Sequence, residues 1–358
     1  MRIHQVLVGA RDGDAITQIA LNLREVLAAF GTSDVFARHV DPSVHGRVRP
    51  IDQLAPEARA DDIVVFHVSI GDDVVWDAVE ATPSRVWVVY HNITPSTFFE
   101  GDPEFAARLD LGRARLVALG TRVERVATVS EYNRHDLGSM GFGDVTVLGG
   151  LLDPDRLAAL PSDPHFGREL LRRTPAEMVL FVGQLLPHKR PDLLVAAHHL
   201  LVTHHRPDAT LALVGHHPSP HFARQVARYA ESLGLGDRVW ITGGIADSQL
   251  AELYRRADVV ATASHHEGLC LPVVEAMAMS IPVVVSDRGA LPETVGDCGI
   301  VVDGDAPEAY AEAIDLALDP GHRAAMALRG RARARSMSID QSREQVAAAV
   351  AGWVESRS

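Results

Sequence analysis

Short runs of apolar, β-branched residues alternate with longer segments of helical periodicity along almost the whole chain. In a parallel sheet each strand is followed by a crossover connection that is usually a helix, so this alternation is typical of repeated βαβ units. The pattern therefore predicts the α/β class with parallel sheets.

The predicted strands fall into two series, and each series predicts its own doubly wound sheet. A first helix is expected near Ala15–Phe30, and we expect Gly31 to end it because glycine is common just after a helix. The strands of the first series are Gln5–Val8, Ile63–Val68, Val86–Tyr90, Val126–Val129 and Val145–Leu148. Those of the second series are Met178–Val182, Thr210–Val214, Val239–Thr242, Val259–Ala263, Pro282–Ser286 and Ile300–Val302, with helices at Pro191–His205 and Asp247–Ala257.

The length of the chain predicts two domains. It has 358 residues, whereas single hydrophobic cores rarely exceed about 250–300 residues. Prolines and a weakened apolar pattern place the boundary near Asp153–Pro175. We predict a Rossmann-like domain over residues 1–155 and a second one over residues 156–340. Residues 341–358 predict a helix with an apolar face, and the first domain is one surface to which it could return.

Composition excludes several classes of protein. With 47% hydrophobic and 23% charged residues the chain can form full cores, which excludes disordered and fibrous proteins. A net charge of −13 argues against nucleic acid as a partner, because phosphate binding needs surplus Lys and Arg. No apolar run reaches the ~18 residues of a membrane span, so we expect no stable membrane insertion. Cys270 and Cys298 are too few for a disulfide framework, and we expect a cytoplasmic protein.

Glycine, histidine and glutamate residues follow the strands of both series. Open parallel sheets bind ligands beyond the carboxyl ends of their strands, where loop amides and helix N-termini converge. Because both sheets carry such residues at this edge, we expect two domains that face each other across a cleft with the ligand between them. The residues concerned are Gly9, Gly13, His91, Glu131, Gly183, Gly215, Gly243 and the segment His266–Gly268.

The strongest motif is a buried strand followed by Glu267 and then by a helix that begins near Pro272 and carries Glu275. Proline is preorganised for the first helical turn, and the backbone amides before it remain available at the positive end of the helix. This is a typical site for a diphosphate. Glu275 lies among apolar residues, where a carboxylate is costly unless something pairs with it. The amides expected to donate belong to Gly268, Leu269, Cys270 and Leu271.

A second motif places cations at another helix N-terminus. A strand, Gly183, a short loop with Lys189 and Arg190, and a helix from Pro191 follow one another. Lys189 is the only lysine in the chain, and lysine binds phosphate as a compact point charge. This arrangement predicts a phosphate site, against the alternative of a solvent-exposed basic turn.

A third motif places His91 at the end of a strand, beside an asparagine and a Thr-Pro turn. It could hydrogen-bond a sugar hydroxyl or act on a reacting group. The alternative is an ordinary hydrogen-bonded histidine.

Metal sites are not expected from the remaining motifs. Asp12-Gly13-Asp14, Asp153-Pro154-Asp155 and Asp303-Gly304-Asp305 match the DxD pattern of metal-dependent transferases, but Gly or Pro flanked by Asp is ordinary turn chemistry. The adjacent pairs His198-His199 and His204-His205 point about 100° apart on a helix and cannot easily share one ion. We therefore expect no essential metal.

Several of these stretches resemble one known family. EGLCLPVVE, residues 267–275, resembles the E-x7-E motif of retaining glycosyltransferases of the GT-B fold, family GT4. VGQLLPHKRPDLL is similar to the family's donor-phosphate loop, and ITGGIADSQLAELYRRADVVATAS to its nucleotide-contacting segment. YHNITP and VSEYNRHDL resemble its acceptor-domain motifs, and GDAI resembles the N-terminal loop of the branch that carries HNITP. The resemblance implies the GT-B fold, with two Rossmann-like domains across a cleft.

The resemblance also implies roles for individual residues. The first domain would bind the acceptor and the second the nucleotide sugar. Glu275 would bind the ribose, Glu267 the hydroxyls of the donor sugar, and Lys189 the departing diphosphate. His91 would touch the donor sugar, so the implied catalytic residues are His91, Glu267 and Lys189. The other implied donor-binding residues are Gly183, Gln184, Arg190, Ile245, Gly268, Leu269, Cys270 and Leu271, with Gly13 and Asp14 in the N-terminal loop.

The activity that the resemblance implies is that of a metal-independent hexosyltransferase without a cofactor. It would transfer a sugar, with retention, from a nucleotide-sugar donor to a hydroxyl acceptor such as a glycan, a glycolipid or a small-molecule glycoside. One residue departs from the family pattern, because Gln184 stands where the family usually has arginine. Two function classes therefore remain: an active transferase, and a nucleotide-sugar-binding protein that has lost catalysis.

Overall fold

The structure is a computed structural model that describes residues 1–149 and 151–355. The chain divides into two compact units. The first unit combines residues 1–153 with residues 336–358, and the second is the continuous segment 154–335. Residues 356–358 of the predicted C-terminal helical segment lie outside the described residues.

The first unit contains one sheet of seven strands. They are β1 (Ile3–Ala10), β2 (Val35–Val40), β3 (Arg49–Pro50), β4 (Ile63–Val68), β5 (Arg85–Tyr90), β6 (Val123–Thr128) and β7 (Val145–Val147). Their order is β3-β2-β1-β4-β5-β6-β7, and every neighbouring pair is parallel. All six residues of β4 are buried, as expected of a central strand that is covered on both faces.

Helices connect these strands. They are α1 (Ala15–Leu27), α2 (Asp73–Ala81), α3 (Pro103–Leu119) and α4 (Glu131–Ser139). Each begins after a residue whose side chain accepts a hydrogen bond from a backbone amide of the first turn, which satisfies a donor that the helix cannot. These capping residues are Asp14, Asp72, Asp102 and Ser130.

The last helix of the chain, Ile339–Glu355, belongs to the first unit. The ring of Trp353 packs edge-on against Trp87, with centroids 5.2 Å apart. Arg343 pairs with Glu25 of α1 at 3.1 Å. The chain therefore returns to its first unit after it has completed the second.

The second unit contains a sheet of six strands. They are β8 (Met178–Val182), β9 (Thr210–Val214), β10 (Val239–Gly243), β11 (Val259–Thr262), β12 (Val283–Ser286) and β13 (Ile300–Val302). Their order is β10-β9-β8-β11-β12-β13, again with every neighbouring pair parallel. The prediction of two parallel α/β sheets is confirmed.

The helices of the second unit pack around this sheet. They are α5 (Pro164–Arg173), α6 (Pro191–His204), α7 (Pro220–Ser232), α8 (Asp247–Arg256), α9 (Leu271–Ala278), α10 (Leu291–Val295), α11 (Pro307–Leu318) and α12 (Pro320–Ser336), so that the last helix of the chain is α13. Many of them have proline in the first turn, where the missing amide hydrogen costs no hydrogen bond. The core includes Phe181, Leu194, Leu213 and Ile314, all of which are buried.

Two details of the first unit differ from the sequence predictions. Strands β2 and β3 were not predicted, because β2 carries Arg38 and His39 in its exposed half and β3 has only two residues. The predicted end of the first helix is wrong, since α1 ends at Leu27 and Gly31 lies beyond it. A Cβ atom on Gly31 would lie 2.5 Å from the carbonyl oxygen of Met1, so glycine serves a close approach there.

Both sheets reverse their strand order once. The reversal falls between β1 and β4 in the first sheet and between β8 and β11 in the second. In open parallel sheets this switch point opens a crevice at the carboxyl ends of the two strands, because their crossovers leave in opposite directions. The loops after these four strands are therefore the places where each unit can hold a ligand.

Gly215 allows two of the strand ends in the second unit to approach each other. It follows β9 with φ +145°, and a Cβ atom there would lie 1.9 Å from the carbonyl oxygen of Gly183. Its amide donates to the carbonyl of Gly243 at 3.1 Å. A side chain at this position would separate the loops after β8, β9 and β10.

Gly215→Ala should therefore destabilise the protein by about 2–4 kcal/mol, because backbone atoms would have to move apart. Urea unfolding measures the change in the free energy of unfolding. Gly236→Ala is the matched control, since no atom lies within 4 Å of a Cβ atom built there. Equal unfolding midpoints for the two variants would show that the close approach at Gly215 is not required.

Candidate functional site

The loops after β8 and β11 meet at the switch point of the second sheet. The backbone amides of Gly183 and Leu185 donate to Val214 and His216, which anchors the beginning of the first loop. The amide of His265 donates to the carbonyl of His188 at 2.7 Å, so the two loops are also joined to each other. This pairing brings the predicted phosphate loop beside the segment that carries Glu267.

Lys189 and Glu267 form an ion pair at this junction. Nζ of Lys189 donates to Oε1 of Glu267 at 2.6 Å, and the two side chains are 19% and 11% exposed. The backbone of Gly289 packs closely against that of Glu267, because a Cβ atom on Gly289 would lie only 2.7 Å from the backbone nitrogen of Glu267. The sequence predicted both charged residues, but not that they would contact each other.

Arg190 lies next to Lys189 but has other partners. Its guanidinium donates to the carboxylate of Asp192 at 3.0 Å and to Asp305 at 2.9 Å. Its backbone is left-handed, with φ 49°, immediately before α6. Two carboxylates already balance the charge of Arg190, so a phosphate would have to compete with them.

The loop before α9 carries three of the four backbone amides that were predicted to donate. Cys270 is left-handed, with φ 70°, and α9 begins at the next residue, Leu271. Among residues 1–149 and 151–355, the amides of Leu269, Cys270 and Leu271 donate to no protein acceptor. Burial raises the pKa of the Cys270 thiol well above its usual range, so the thiol stays neutral. The contribution of Cys270 to an anion site is therefore its backbone amide.

Glu275 is buried on α9, with 4% of its surface exposed. The hydroxyl of Tyr254 donates to its Oε2 at 3.0 Å, and Nη2 of Arg156 lies 3.7 Å from its Oε1. Burial raises the pKa of the Glu275 carboxyl to about 7, although Arg156 and the Tyr254 hydroxyl act in the opposite direction. A partner for this buried carboxylate was expected from the sequence. The structure supplies two, the Tyr254 hydroxyl and the Arg156 guanidinium, and the sequence analysis identified neither.

Two other predicted donor-site residues lie on neighbouring loops of the same unit. Gln184 is exposed between the anchored residues Gly183 and Leu185. Ile245 is half-buried in the loop between β10 and α8. Apart from Glu275, which lies inside α9, the predicted donor-binding residues of this unit therefore lie in, or directly after, loops at the carboxyl ends of β8, β10 and β11.

In the first unit, His91 directly follows β5 and is half-buried. Its Nε2 lies 2.8 Å from Nδ1 of His67 in β4, and the two ring planes differ by 15°. Burial lowers the pKa of His91 to about 3, and burial together with His91 lowers the pKa of His67 well below its usual value. Both rings are therefore neutral at pH 7.

The loop after His91 is held by polar contacts. Asn92 is left-handed, with φ 81°, and its side-chain amide donates to Asn133 at 2.9 Å. The amide of Ile93 donates to the hydroxyl of Tyr90 at 3.0 Å, and that hydroxyl donates to Asp136 at 2.6 Å. The segment that carries His91 is thus rigidly attached to β5 and α4.

The predicted N-terminal loop lies at the switch point of the first sheet. Gly13 is left-handed, with φ 78°. Asp14 caps α1, because one carboxylate oxygen accepts hydrogen bonds from both the backbone amide and the hydroxyl of Thr17 at 2.9 Å. The observed role of Asp14 is structural, and the two residues shape the turn after β1.

In the part of the chain that the structure describes, three side chains of the kinds that bind metal ions form one cluster. Ligand atoms of His4, Asp34 and Glu57 lie within 4.8 Å of one another. The guanidinium of Arg49 already pairs with both carboxylates. Of the DxD aspartates, Asp305 pairs with Arg190. A cation at either place would have to displace an arginine.

The chain is similar to known glycosyltransferases. Residues 165–335, which make up most of the second unit, match the family described as "Glycosyl transferases group 1". The chain is 34% identical over 237 residues to a GDP-mannose-dependent alpha-(1-6)-phosphatidylinositol monomannoside mannosyltransferase of Mycolicibacterium smegmatis, covering 62% of the chain and 60% of the relative. It is 34% identical over 251 residues to a D-inositol 3-phosphate glycosyltransferase of Rhodococcus opacus, covering 67% and 55%. The family match and these relatives support a place in glycosyl transferases group 1.

The chain spans less than two thirds of the length of these curated relatives. Solved structures extend the comparison to nearly the whole chain. The Anabaena protein HepE in complex with UDP-glucose has a TM-score of 0.77 at 18% identity, over 98% of this chain and all of that one. Sucrose-phosphate synthase of Thermosynechococcus elongatus has a TM-score of 0.72 at 22% identity, over 98% and 97%. The likeness shows the fold, and the predicted GT-B class is confirmed.

Within residues 1–149 and 151–355, no helix has both the length and the apolar character that a membrane span requires.

The raised pKa of Glu275 predicts that the contribution of this carboxyl to the stability of the ligand-free protein falls as the pH rises from about 5 to 7. The folded protein keeps the proton on Glu275 up to about pH 7, whereas the unfolded chain releases it near its ordinary value of 4.5. Folding therefore binds a proton at Glu275 in this interval, and the contribution of this residue to the free energy of unfolding should fall by up to about 1.4 kcal/mol per pH unit. Urea unfolding at several pH values measures this contribution as the difference between the unmodified protein and Glu275→Gln, because buried histidines such as His67 and His91, whose pKa values are lowered, change the total slope in the opposite direction.

Glu275→Gln should remove this contribution, because the amide does not titrate, so the stability of the variant relative to the unmodified protein should rise between about pH 5 and 7. Glu308→Gln changes an exposed glutamate in the same way and should leave the profile as it is. A Glu275→Gln profile parallel to that of the unmodified protein would contradict the assignment of the slope to Glu275.

Proposed function

We propose that the protein is a retaining glycosyltransferase that moves a sugar from a nucleoside-diphosphate-sugar donor to a hydroxyl acceptor. One observation carries the proposal: the ammonium group of Lys189 and the amides of Leu269 to Leu271 lie on loops that meet at the switch point of the second sheet. A cation and a row of backbone donors at a helix N-terminus suit a diphosphate. The match of this segment to glycosyl transferases group 1 supports the same assignment.

The second unit would bind the donor. In this proposal Lys189 and the amides of Gly268 to Leu271 balance the charge of the diphosphate. Glu267 accepts hydrogen bonds from hydroxyls of the donor sugar, and Glu275 accepts them from the ribose. Gly183 gives the phosphates room to approach the backbone, and the backbone near Ile245 contacts the base. Gln184 and Arg190 complete the phosphate loop.

The chemistry would be a displacement at the anomeric carbon with retention. The acceptor oxygen attacks from the side of the leaving diphosphate, and a phosphate oxygen takes its proton as the bond to the sugar breaks. Lys189 and the amides stabilise the charge that develops on the leaving group, which is where electrostatic catalysis has its largest effect. No metal is needed in this scheme, because protein donors supply the positive potential.

The acceptor and the remaining roles belong to the first unit. We propose that His91 contacts the donor sugar and that Gly13 and Asp14 shape an acceptor-binding loop. The acceptor class we propose is a glycan, a glycolipid or a small-molecule glycoside. Both cysteines are free thiols, which suits the reducing cytoplasm that we propose as its location.

Incubation with a panel of nucleotide sugars, followed by detection of free nucleoside diphosphate, tests this function. GDP-mannose and UDP-glucose belong in the panel, because the relatives and solved neighbours name them. Slow hydrolysis of one donor is expected, and Lys189→Met should lower it by roughly 10²–10³-fold, the loss typical of one transition-state contact. Arg228→Met removes an exposed positive charge of the same unit and should leave hydrolysis unchanged. Equal rates for the two variants would reject the proposed site.

The alternative function, nucleotide-sugar binding without transfer, is favoured by the neutral Gln184 in the phosphate loop. Because Lys189 is the only lysine, its reaction with pyridoxal phosphate and borohydride gives one lysine-containing labelled peptide. Protection of that peptide by a nucleotide sugar that is never hydrolysed would indicate a binding protein. Protection together with nucleotide release would indicate the enzyme.

Gln184→Arg should raise turnover about tenfold if the missing charge limits an active enzyme, because a charge-assisted bond to phosphate is stronger than an amide contact. Gln184 is exposed, so the longer side chain has room. Gln225→Arg adds the same charge to the exposed surface of α7 and should have no effect. Initial rates with the accepted donor measure the difference. Unchanged turnover in Gln184→Arg would show that the charge at this position is not limiting.

A further inference from the structure

A line of hydrogen bonds runs from His91 into the core of the first unit. Nε2 of His91 lies 2.8 Å from Nδ1 of His67, and Nε2 of His67 lies 2.9 Å from Oε1 of Gln5. Nε2 of Gln5 donates to the carbonyl oxygen of Ala20 in α1 at 2.9 Å. Gln5 and His67 are fully buried in β1 and β4, the two strands on either side of the switch point.

The carbonyl at the buried end decides the direction of every bond in this line. A carbonyl oxygen only accepts, so the Gln5 amide must turn its NH₂ group toward Ala20 and its oxygen toward His67. That oxygen also only accepts, so His67 carries its proton on Nε2. A neutral ring has one proton, which leaves Nδ1 of His67 as an acceptor. His91 must then donate from Nε2, and its own Nδ1 keeps a lone pair.

No charged residue in the described part of the chain shifts the pKa of His67 or His91 toward the protonated form. Burial favours the neutral form of both rings, and the only ionisable group that shifts the pKa of His67 is His91. Within the described residues, Nδ1 of His91 has no hydrogen-bond partner, and His91 is half-buried. The line of hydrogen bonds therefore ends at the unprotonated Nδ1 of His91, at the carboxyl edge of the first sheet.

We propose that Gln5 and His67 are positioning residues that hold His91 in the tautomer with its proton on Nε2, so that Nδ1 accepts a hydrogen bond from a hydroxyl of the bound ligand. The identity of that ligand rests on the proposed function. His91 in this state offers no N–H group to the ligand from Nδ1 and cannot donate a proton there. It selects a hydroxyl over any group that can only accept.

A purely structural role would not need these residue types. Gln5 and His67 lie in apolar strands, where leucine or valine would pack without the cost of burying amide and imidazole groups. A buried polar chain that is fully satisfied specifies one arrangement, and here it specifies the tautomer of the residue at its end.

The first test is a measurement on the unmodified protein without any donor. Long-range proton–nitrogen NMR correlations of protein labelled with ¹⁵N at histidine distinguish the two tautomers. The signals of His91 among the 18 histidines are identified by their loss in His91→Asn. A protonated Nε2 with a bare Nδ1 is expected for both His91 and His67 at pH 7. A proton on Nδ1 of His91, or on both of its nitrogens, overturns the proposal.

The second test removes the group that sets the direction. Gln5→Leu should give a mixture of His91 tautomers and lower turnover roughly tenfold, as expected for one misdirected hydrogen bond. Gln18→Leu makes the same change at a buried glutamine of α1 whose side-chain amide has no hydrogen-bond partner in the described chain. This variant should change neither the His91 tautomer nor the turnover. An unaltered His91 tautomer in folded Gln5→Leu rejects the role of Gln5.

The two proposals can fail separately. If no nucleotide sugar is hydrolysed, the NMR measurement still decides the tautomer of His91. If turnover is found but His91 carries its proton on Nδ1, only the inference about Gln5 and His67 fails. Should Gln5→Leu not fold, the spectrum of the unmodified protein remains the deciding observation.

Discussion

The ion pair between Lys189 and Glu267 is the contact on which the candidate donor site depends, because it joins the loops that follow two neighbouring strands. Both side chains are largely buried, and removing either one would leave a poorly hydrated charge. A diphosphate that binds Lys189 would compete with Glu267 for the ammonium group. In the proposed function, the released carboxylate would then accept hydrogen bonds from the sugar, and one ligand would contact both groups of the pair.

Left-handed backbone recurs at the same edge of both sheets. The non-glycine residues with positive φ in residues 1–149 and 151–355 include Asn92, Arg190 and Cys270, which lie in the loops after β5, β8 and β11. This conformation costs free energy for a residue with a Cβ atom and persists only where the surroundings impose it. Each of the three residues therefore lies in a turn at the carboxyl end of a strand that its surroundings hold in place.

Local patterns predicted the central strands and the places of the charged residues, because buried strands are continuous apolar runs and parallel strands share one carboxyl edge. They did not predict β2, which is half polar and lies toward an edge. They also missed Arg156 and Tyr254, which approach Glu275 only after distant segments fold together. The one signal for the line behind His91 was a glutamine or histidine inside an apolar strand, and no local pattern says what such a residue contacts.

The return of α13 makes the second unit a continuous insertion in the first. The backbone of Leu152, just before the insertion, bridges Ser338, just after it, and the amide of Ile339 donates to Leu152 at 2.9 Å. The two junctions are therefore adjacent, and a flexible linker of about five to eight residues could rejoin them. The second unit could be excised or exchanged as a single gene segment, so the arrangement lends itself to chimeric proteins in which this unit is replaced by that of a relative.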